Sequence, residues 1–229
     1  MRTADGVLIP LRLAGPEGGP PVLLLSGGPG FVNYLPDGPA AGPARTIAAD
    51  PRGVGASGGR PHDLGRALAD LEEIRRHLRL GTWAVVGHSA GADLALAYAV
   101  EHPASVRAVV AACGTGVQND RDWSAAYHAA ADTEPDLGIV YSAQLHAALL
   151  TSWREWIKAP DLLDRLAHLD VPVEVVVAGG DIRPSWPLRQ VAALVPGARL
   201  TVLPGVPHDL WHTHPDVWQG LVASAATRD

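Results

Sequence analysis

Short apolar runs alternate along the chain with amphipathic stretches. Runs of this kind, rich in valine, leucine and alanine, are typical of β-strands, and they span residues 22–25, 46–49, 83–86, 106–111, 173–178 and 199–203. The runs at 106–111 and 173–178 have the composition of buried parallel strands. A further segment at 7–13 is typical of a first strand, and Pro10 indicates that this strand lies at an edge of the sheet. The alternation predicts an α/β fold with a mostly parallel central sheet and helices on both faces.

Two regions between the strands carry helical periodicity. A helix is predicted over 63–79 with Asp63 as its N-cap, because apolar residues recur there at helical spacing: Leu64, Leu68, Leu71, Ile74 and Leu78. Residues 115–168 break the alternation, and short helices are predicted near 122–127 and 144–150. We interpret the chain as one domain over residues 1–229 with a small helical cap at about 115–168, and we expect the cap tryptophans to line a substrate pocket: Trp123, Trp153 and Trp156.

A candidate nucleophile lies where one predicted strand turns into a helix. Residues 87–91 read Gly-His-Ser-Ala-Gly, directly after the run at 83–86 and before a helical run at 93–100. A strand that ends in G-x-S-x-G and turns at once into a helix forms a nucleophile elbow, so Ser89 is the predicted nucleophile. Glycines are needed at 87 and 91 because side chains there would collide with the neighbouring strand and helix.

A base and an orienting carboxylate are expected after later strands. Asp181 follows the strand at 173–178, and His208 closes a proline-rich loop after the strand at 199–203. Taken singly, the serine is typical of a turn, the aspartate of a helix cap, and the histidine is one of ten. Their order along the chain, each at a strand end, predicts a catalytic triad of Ser89, Asp181 and His208.

Two backbone N–H groups are needed to hold the oxyanion of an acyl-transfer intermediate. One is expected from Ala90, the residue after the nucleophile, and the second from the loop at 26–30 that follows the first buried strand. Gly28 is the predicted second donor and Gly27 the next choice, since Pro29 has no N–H. The alternative is an ordinary Gly/Pro turn.

These motifs resemble a known family. Residues 27–30 (Gly-Gly-Pro-Gly), 50–57 (Asp-Pro-Arg-Gly-Val-Gly-Ala-Ser) and the elbow are similar to the proline iminopeptidase branch of the α/β-hydrolases, and residues 181–184 and 204–208 are similar to the acid and histidine segments of that superfamily. The resemblance implies an α/β-hydrolase fold and a serine-dependent hydrolase.

Three departures from that branch bear on the activity. Ser26 stands where the oxyanion loop usually begins with histidine, the elbow carries His88 and Ala90 where the aminopeptidases tend to have glycine and tryptophan, and the cap is short. No cap residue matches the glutamates that hold a free amino group in those peptidases. We therefore predict an esterase or amidase for a small acyl substrate, with Gly27 and His88 also at the pocket; the alternatives are a proline iminopeptidase-type aminopeptidase, and acyl transfer or lactone hydrolysis in a biosynthetic pathway.

Composition narrows the remaining function classes. A net charge of −6 without a run of lysine or arginine argues against nucleic acid and anionic membranes as partners. The first residues lack an apolar leader segment and no long apolar stretch follows, so a cytoplasmic location is expected. Cys113 is the only cysteine, which excludes an intrachain disulfide, and it is interpreted as a packing residue. The oligomeric state is left open.

Two other motifs suggest different chemistry. Residues 53–58 match G-x-G-x-x-G, but Gly59, Pro61 and the Asp63 cap separate them from the next helix, so a dinucleotide site is not expected. His208, His212 and His214 could bind a metal, which would remove His208 from its role as base. We expect neither a cofactor nor a metal. A ligand-binding protein that keeps the fold without the chemistry is the non-enzymatic alternative.

Overall fold

A central sheet of seven strands organises the protein, whose computed structural model describes residues 1–37 and 42–228. The strands are β1 (Leu11–Ala14), β2 (Pro21–Leu25), β3 (Arg45–Ala49), β4 (Trp83–His88), β5 (Val106–Ala112), β6 (Val173–Ala178) and β7 (Arg199–Leu203). Within the described residues the α-helices are α1 (Leu64–His77), α2 (Ala90–Glu101), α3 (Arg121–Ala130), α4 (Ala143–Trp156), α5 (Leu162–Ala167), α6 (Trp186–Leu194), α7 (Leu210–Thr213) and α8 (Pro215–Thr227). None of them has the length and hydropathy that crossing a membrane requires.

The sheet is mostly parallel, which confirms the predicted fold class. Its order is β1-β3-β2-β4-β5-β6-β7, and only β1 runs antiparallel to its neighbour. Successive strand residues point to opposite faces. Leu23 and Val85 therefore pack with α1 and α2 in one core, whereas Leu24 and Val86 pack with α8 in a second core on the other face.

The local elements follow the sequence pattern, with one difference at the first strand. Asp63 caps α1 by accepting a hydrogen bond from the Arg66 N–H, as predicted. The first strand begins at Leu11, one residue after Pro10, rather than at residue 7, because proline has no N–H for the sheet ladder. Residue 8 contributes only an isolated bridge to residue 2.

The helices α3, α4 and α5 lie in the chain between β5 and β6, two strands that pair directly with each other. This segment contacts the loop that follows β2. Ser142 donates its N–H to the Gly30 carbonyl at 2.8 Å, and His146 Nδ1 donates to the Pro29 carbonyl at 2.9 Å. The helices of the insertion are thereby held close to the carboxyl ends of the central strands.

Candidate active site

Ser89 lies at the turn between β4 and α2 in a conformation that few residues adopt. Its φ is 56° and its ψ is −128°. A Cβ on Gly87 would come within 2.1 Å of the Gly91 carbonyl oxygen, and a Cβ on Gly91 would come within 2.1 Å of the Leu25 carbonyl oxygen. Both neighbours are main chain and cannot move aside, so the turn requires glycine at both positions.

Asp181 and His208 meet in the loops that follow β6 and β7. His208 Nδ1 donates a hydrogen bond of 2.6 Å to Asp181 Oδ2, and the two side chains are 16% and 6% exposed. Burial by itself would raise the pKa of Asp181, but the hydrogen bond and charge of His208, together with the charge of Arg183, outweigh burial and lower it. Asp181 is therefore an anion that fixes the tautomer of His208 and leaves Nε2 as the acceptor.

Arg183 contacts the same carboxylate and was not singled out by the sequence analysis. Its Nη1 donates to Asp181 Oδ1 at 3.1 Å and to Glu134 Oε1 at 2.6 Å, and its guanidinium lies 4.8 Å from the centre of the Tyr127 ring. Glu134 and Tyr127 belong to the insertion, so this buried cation joins the insertion to the Asp181 loop. Its position two residues after Asp181 is the only signal in the sequence that could have indicated this contact.

Two unoccupied backbone donors lie beside Ser89. Among the hydrogen bonds of residues 1–37 and 42–228, none uses the N–H of Gly28 or of Ala90. Ala90 is the first residue of α2, where helical geometry provides no carbonyl partner for its N–H. Gly28 has a φ of +135°, a backbone conformation that favours glycine.

Gly27 lies against the nucleophile, but its N–H is engaged. A Cβ on Gly27 would come within 2.5 Å of the Ser89 Cβ, so only glycine fits there. The Gly27 N–H donates to the Tyr34 hydroxyl at 2.8 Å. Gly28 is consequently better suited than Gly27 to supply the second oxyanion donor.

The segment at 50–57 supports this loop, and its Pro51 also lines the cavity beside Ser89. Asp50 accepts a hydrogen bond from the Asn33 N–H at 2.9 Å, and Asn33 Nδ2 donates to the Leu24 carbonyl at 2.8 Å. Arg52 is buried and forms ion pairs with Asp5 and Asp70. Ser26, which replaces the usual histidine, donates only a long hydrogen bond of 3.3 Å to the Val32 carbonyl.

Ser89 borders two cavities. The first, here called the apolar cavity, has a volume of about 330 Å³, and its wall includes Leu94, Trp123, Leu149, Leu150 and Trp153. The second, here called the polar cavity, has a volume of about 440 Å³, and its wall includes Glu134, Asp136, Asp181, His208 and Asp209. Gly28 borders both cavities. The serine, the candidate base and a free N–H donor therefore converge at one place.

Two of the predicted pocket residues lie elsewhere. Trp156 faces away from both cavities and donates its Nε1–H to Glu101 at 2.7 Å. His88 is 1% exposed and lies behind Ser89, where its ring nitrogens bond to the Tyr34 hydroxyl and to the His208 carbonyl oxygen. Trp123, Trp153 and Gly27 line the apolar cavity. The helical spacing of Trp153 and Trp156 does not distinguish the cavity-facing ring from the other.

The two alternative motifs take other arrangements. Residues 53–58 form a turn, and α1 begins only at Leu64. The last glycine of the motif therefore does not begin a helix, as a dinucleotide site of this type would require. His208 groups with His88 and Cys113, whose ligand atoms lie within 4.8 Å of one another. A metal there would have to displace the hydrogen bonds that His88 already makes through both ring nitrogens.

Comparison with known proteins agrees with the fold and the order of these elements. The family model described as the alpha/beta hydrolase fold matches residues 20–172, about two thirds of the chain. The chain belongs to the alpha/beta hydrolase fold family. The match includes the oxyanion loop, the elbow and the insertion, whereas Asp181 and His208 lie beyond it.

Among alpha/beta hydrolases, the similar sequences include proline iminopeptidases. The enzyme of Neisseria meningitidis serogroup A is 37% identical over 112 residues, which cover 42% of this chain and 33% of that relative. The chain thus spans only about a third of the length of this curated relative. A hydrolase from Pseudomonas aeruginosa superimposes with a TM-score of 0.73 at 21% identity over 99% of this chain and 97% of that chain. An esterase from Exiguobacterium antarcticum has a TM-score of 0.70 at 19% identity over 98% and 97% of the two chains.

Proposed function

We propose that this protein is a serine hydrolase that cleaves small esters or amides through an acyl-enzyme. Ser89 Oγ attacks the carbonyl carbon while His208 Nε2 accepts the hydroxyl proton, and Asp181 stabilises the imidazolium that forms. The N–H groups of Gly28 and Ala90 hold the oxyanion. His208 then protonates the leaving group, and a water molecule, activated in the same way, releases the acid.

One observation carries this proposal. The hydrogen bond of 2.6 Å between His208 Nδ1 and Asp181 Oδ2 lies in the wall of a cavity that Ser89 also borders. The bond directs the other ring nitrogen of His208 away from Asp181, and the strained elbow exposes the serine hydroxyl at the end of β4. This arrangement of nucleophile, base and orienting carboxylate supports acyl transfer.

The apolar cavity supports a substrate with an apolar acyl group. Its wall includes five leucine and tryptophan side chains from α2, α3 and α4: Leu94, Trp123, Leu149, Leu150 and Trp153. Asp93 is the only carboxylate that this wall contains among the described residues, and it already accepts hydrogen bonds from Thr115 and Gly116. A buried ammonium group would need an unengaged carboxylate. We therefore favour an esterase or amidase.

An aminopeptidase for N-terminal proline is the second candidate. It is favoured by the similarity to proline iminopeptidases over 42% of the chain. Against it, Glu134, an insertion carboxylate in the wall of the polar cavity, is held by Arg183 through two hydrogen bonds of 2.6 and 3.0 Å. We also propose that the chain is a single domain whose insertion at about residues 115–168 acts as the cap over this site.

The proposed function is tested by replacing the nucleophile. Ser89→Ala is expected to lower kcat for p-nitrophenyl ester hydrolysis by on the order of 10⁶ and to abolish labelling by a fluorophosphonate probe. Ser124→Ala serves as the matched control, because Ser124 also borders the apolar cavity and its hydroxyl bonds only to the Asp120 carbonyl. Retention of more than about a tenth of the activity in Ser89→Ala would contradict the assignment.

A further inference from the structure

A chain of hydrogen bonds passes behind Ser89 from the oxyanion loop to the base. The Gly27 N–H bonds to the Tyr34 hydroxyl at 2.8 Å, and that hydroxyl lies 2.7 Å from His88 Nδ1. His88 Nε2 lies 2.8 Å from the backbone carbonyl oxygen of His208. The four residues come from the loop after β2, the end of β4 and the loop after β7, so the chain connects three separate parts of the candidate site.

The direction of each hydrogen bond follows from the groups involved. A carbonyl oxygen only accepts, so His88 Nε2 carries the proton and donates to His208. In the neutral ring Nδ1 is then an acceptor, which requires the Tyr34 O–H to donate to it. The Tyr34 oxygen keeps a lone pair for the Gly27 N–H. Every donor therefore has an acceptor.

His88 is well suited to such a fixed connection. Burial, with the charge of His208 as the next contribution, lowers the pKa of His88 to about 3, so the ring stays neutral throughout the usual working range of pH. Its ring packs 4.8 Å from the His208 ring and edge-on to Trp218. Tyr34 packs 4.8 Å from the Trp211 ring, a contact that does not depend on its hydroxyl.

We propose that Tyr34 and His88 are positioning residues that hold the oxyanion loop and the base in register on either side of Ser89. Tyr34 restrains Gly27, and the peptide that follows Gly27 carries the Gly28 N–H. His88 restrains the main chain of His208 through its hydrogen bond to the carbonyl oxygen. Because His88 directly precedes Ser89, this bond also fixes the position of His208 relative to the nucleophile. This inference rests on the proposed function. His88 borders neither cavity, whereas Tyr34 also borders the polar cavity, and the role assigned to both residues is the hydrogen bonding that holds Gly27 and His208.

Two substitutions break the chain at different links. Tyr34→Phe keeps the ring and removes the hydroxyl, whereas His88→Phe keeps a ring and removes both nitrogens that bond to Tyr34 and to the His208 carbonyl. Each is expected to slow fluorophosphonate labelling of Ser89, and to lower kcat for a p-nitrophenyl ester, by about tenfold, while KM changes by less than about twofold. The double variant is expected to be no slower than the slower single variant, because both changes open the same chain.

Tyr98→Phe is the matched control for the loss of a buried hydroxyl. The Tyr98 hydroxyl donates to Glu72 at 2.5 Å in the core beneath α1. Tyr98→Phe is expected to lower Tm at least as much as Tyr34→Phe does and to leave the labelling rate unchanged. A control that slowed labelling as much as Tyr34→Phe would show that lost stability, rather than position, governs the rate, and would overturn the proposal.

Other outcomes also decide the question. A labelling rate within about twofold of wild type in Tyr34→Phe, or a double variant in which the two losses multiply to about a hundredfold, would overturn the proposal. If Tyr34→Phe does not fold, the rate in His88→Phe decides by the same criterion. Activity in Ser89→Ala would refute the proposed function instead, so the two failures are distinguishable.

Discussion

The two cavities that meet at Ser89 differ in what their walls offer a substrate. The apolar cavity contains one carboxylate within the described residues, Asp93, whose oxygens are engaged by Thr115 and Gly116. The polar cavity contains four carboxylates: Glu134, Asp136, Asp181 and Asp209. The wall of the apolar cavity can recognise an acyl group by packing, whereas the wall of the polar cavity can exchange protons and hydrogen-bond a leaving group or water. In the proposed function, the apolar cavity selects the substrate and the polar cavity carries the chemistry, and Ser89 borders both.

Among the predictions that compare the two cavities, the largest loss of kcat/KM is expected from replacing one of two aspartates of the polar cavity and not the other. Asp181→Asn should place His208 in the wrong tautomer and lower kcat/KM by about 10⁴. Asp209→Asn, one residue after the base, should change kcat/KM by less than about threefold, since its carboxylate makes no capping bond to α7. Steady-state kinetics with a p-nitrophenyl ester measures both. A larger loss in Asp209→Asn than in Asp181→Asn would reverse the assignment of the acid.

Asp93, the carboxylate of the apolar cavity, is expected to affect the stability of the fold rather than catalysis. Burial raises the pKa of Asp93 from 3.8 to about 6, against the opposing hydrogen bonds from Thr115 and Gly116. The folded state then binds this proton more tightly than the unfolded state, so the carboxylate destabilises the fold above pH 6, and this cost disappears as the pH falls below 3.8.

The difference between wild type and Asp93→Asn isolates this effect, because asparagine does not titrate. The free energy of unfolding of Asp93→Asn, relative to wild type, should rise by between about 2 and 3 kcal/mol, roughly fiftyfold in the unfolding equilibrium constant, as the pH increases from about 4 to about 7. Denaturant unfolding of both proteins at the two pH values provides the measurement. A difference that stays constant with pH would show that Asp93 keeps an ordinary pKa.

Narrowing the apolar cavity should discriminate between acyl chains. Leu150→Trp fills space in the wall and is expected to lower kcat/KM for p-nitrophenyl hexanoate by about tenfold, while the acetate ester changes by less than about twofold. Leu163→Trp, at a position on α5 that is 59% exposed, is the control and should alter neither value. Equal losses for the two esters in Leu150→Trp would place the acyl chain outside this cavity.

The smallest expected effect concerns the free amino group of an aminoacyl substrate. Because the apolar cavity lacks an unengaged carboxylate within the described residues, N-acetylation of an alanine p-nitrophenyl ester should change kcat/KM by less than about threefold. Proline p-nitroanilide should be a poorer substrate than a short p-nitrophenyl ester after correction for intrinsic reactivity. Loss of turnover on acetylation would instead favour the aminopeptidase.

Most of the fold was predictable from the sequence because strand ends and glycine turns leave local signals. The buried strands coincide with the apolar runs, and the residues that follow β6 and β7 are the predicted Asp181 and His208. Parallel strands end at the same edge of the sheet, so positions far apart in sequence could be inferred to meet there. The Asp63 cap of α1 was predictable in the same local way.

Contacts that depend on packing between distant segments were not predictable. Tyr34 stands in a loop without periodicity, and its partner His88 is 54 residues away along the chain. Arg183 contacts Glu134 across 49 residues. His88 was expected at the pocket because of its place beside Ser89, but alternation along β4 turns its side chain to the opposite face. No local sequence pattern around these residues specifies a partner that lies so far away along the chain.

The direct pairing of β5 with β6 has a consequence for how this protein could diversify. The two ends of the insertion start from neighbouring strands whose register is set by the sheet, with Val109 opposite Val173. Lengthening or exchanging the segment between them costs only a small change in loop-closure entropy and leaves the strand ends that hold Ser89, Asp181 and His208 where they are. If the insertion sets specificity as proposed, specificity can evolve, or be engineered by grafting, as a module that is inherited separately from the reaction.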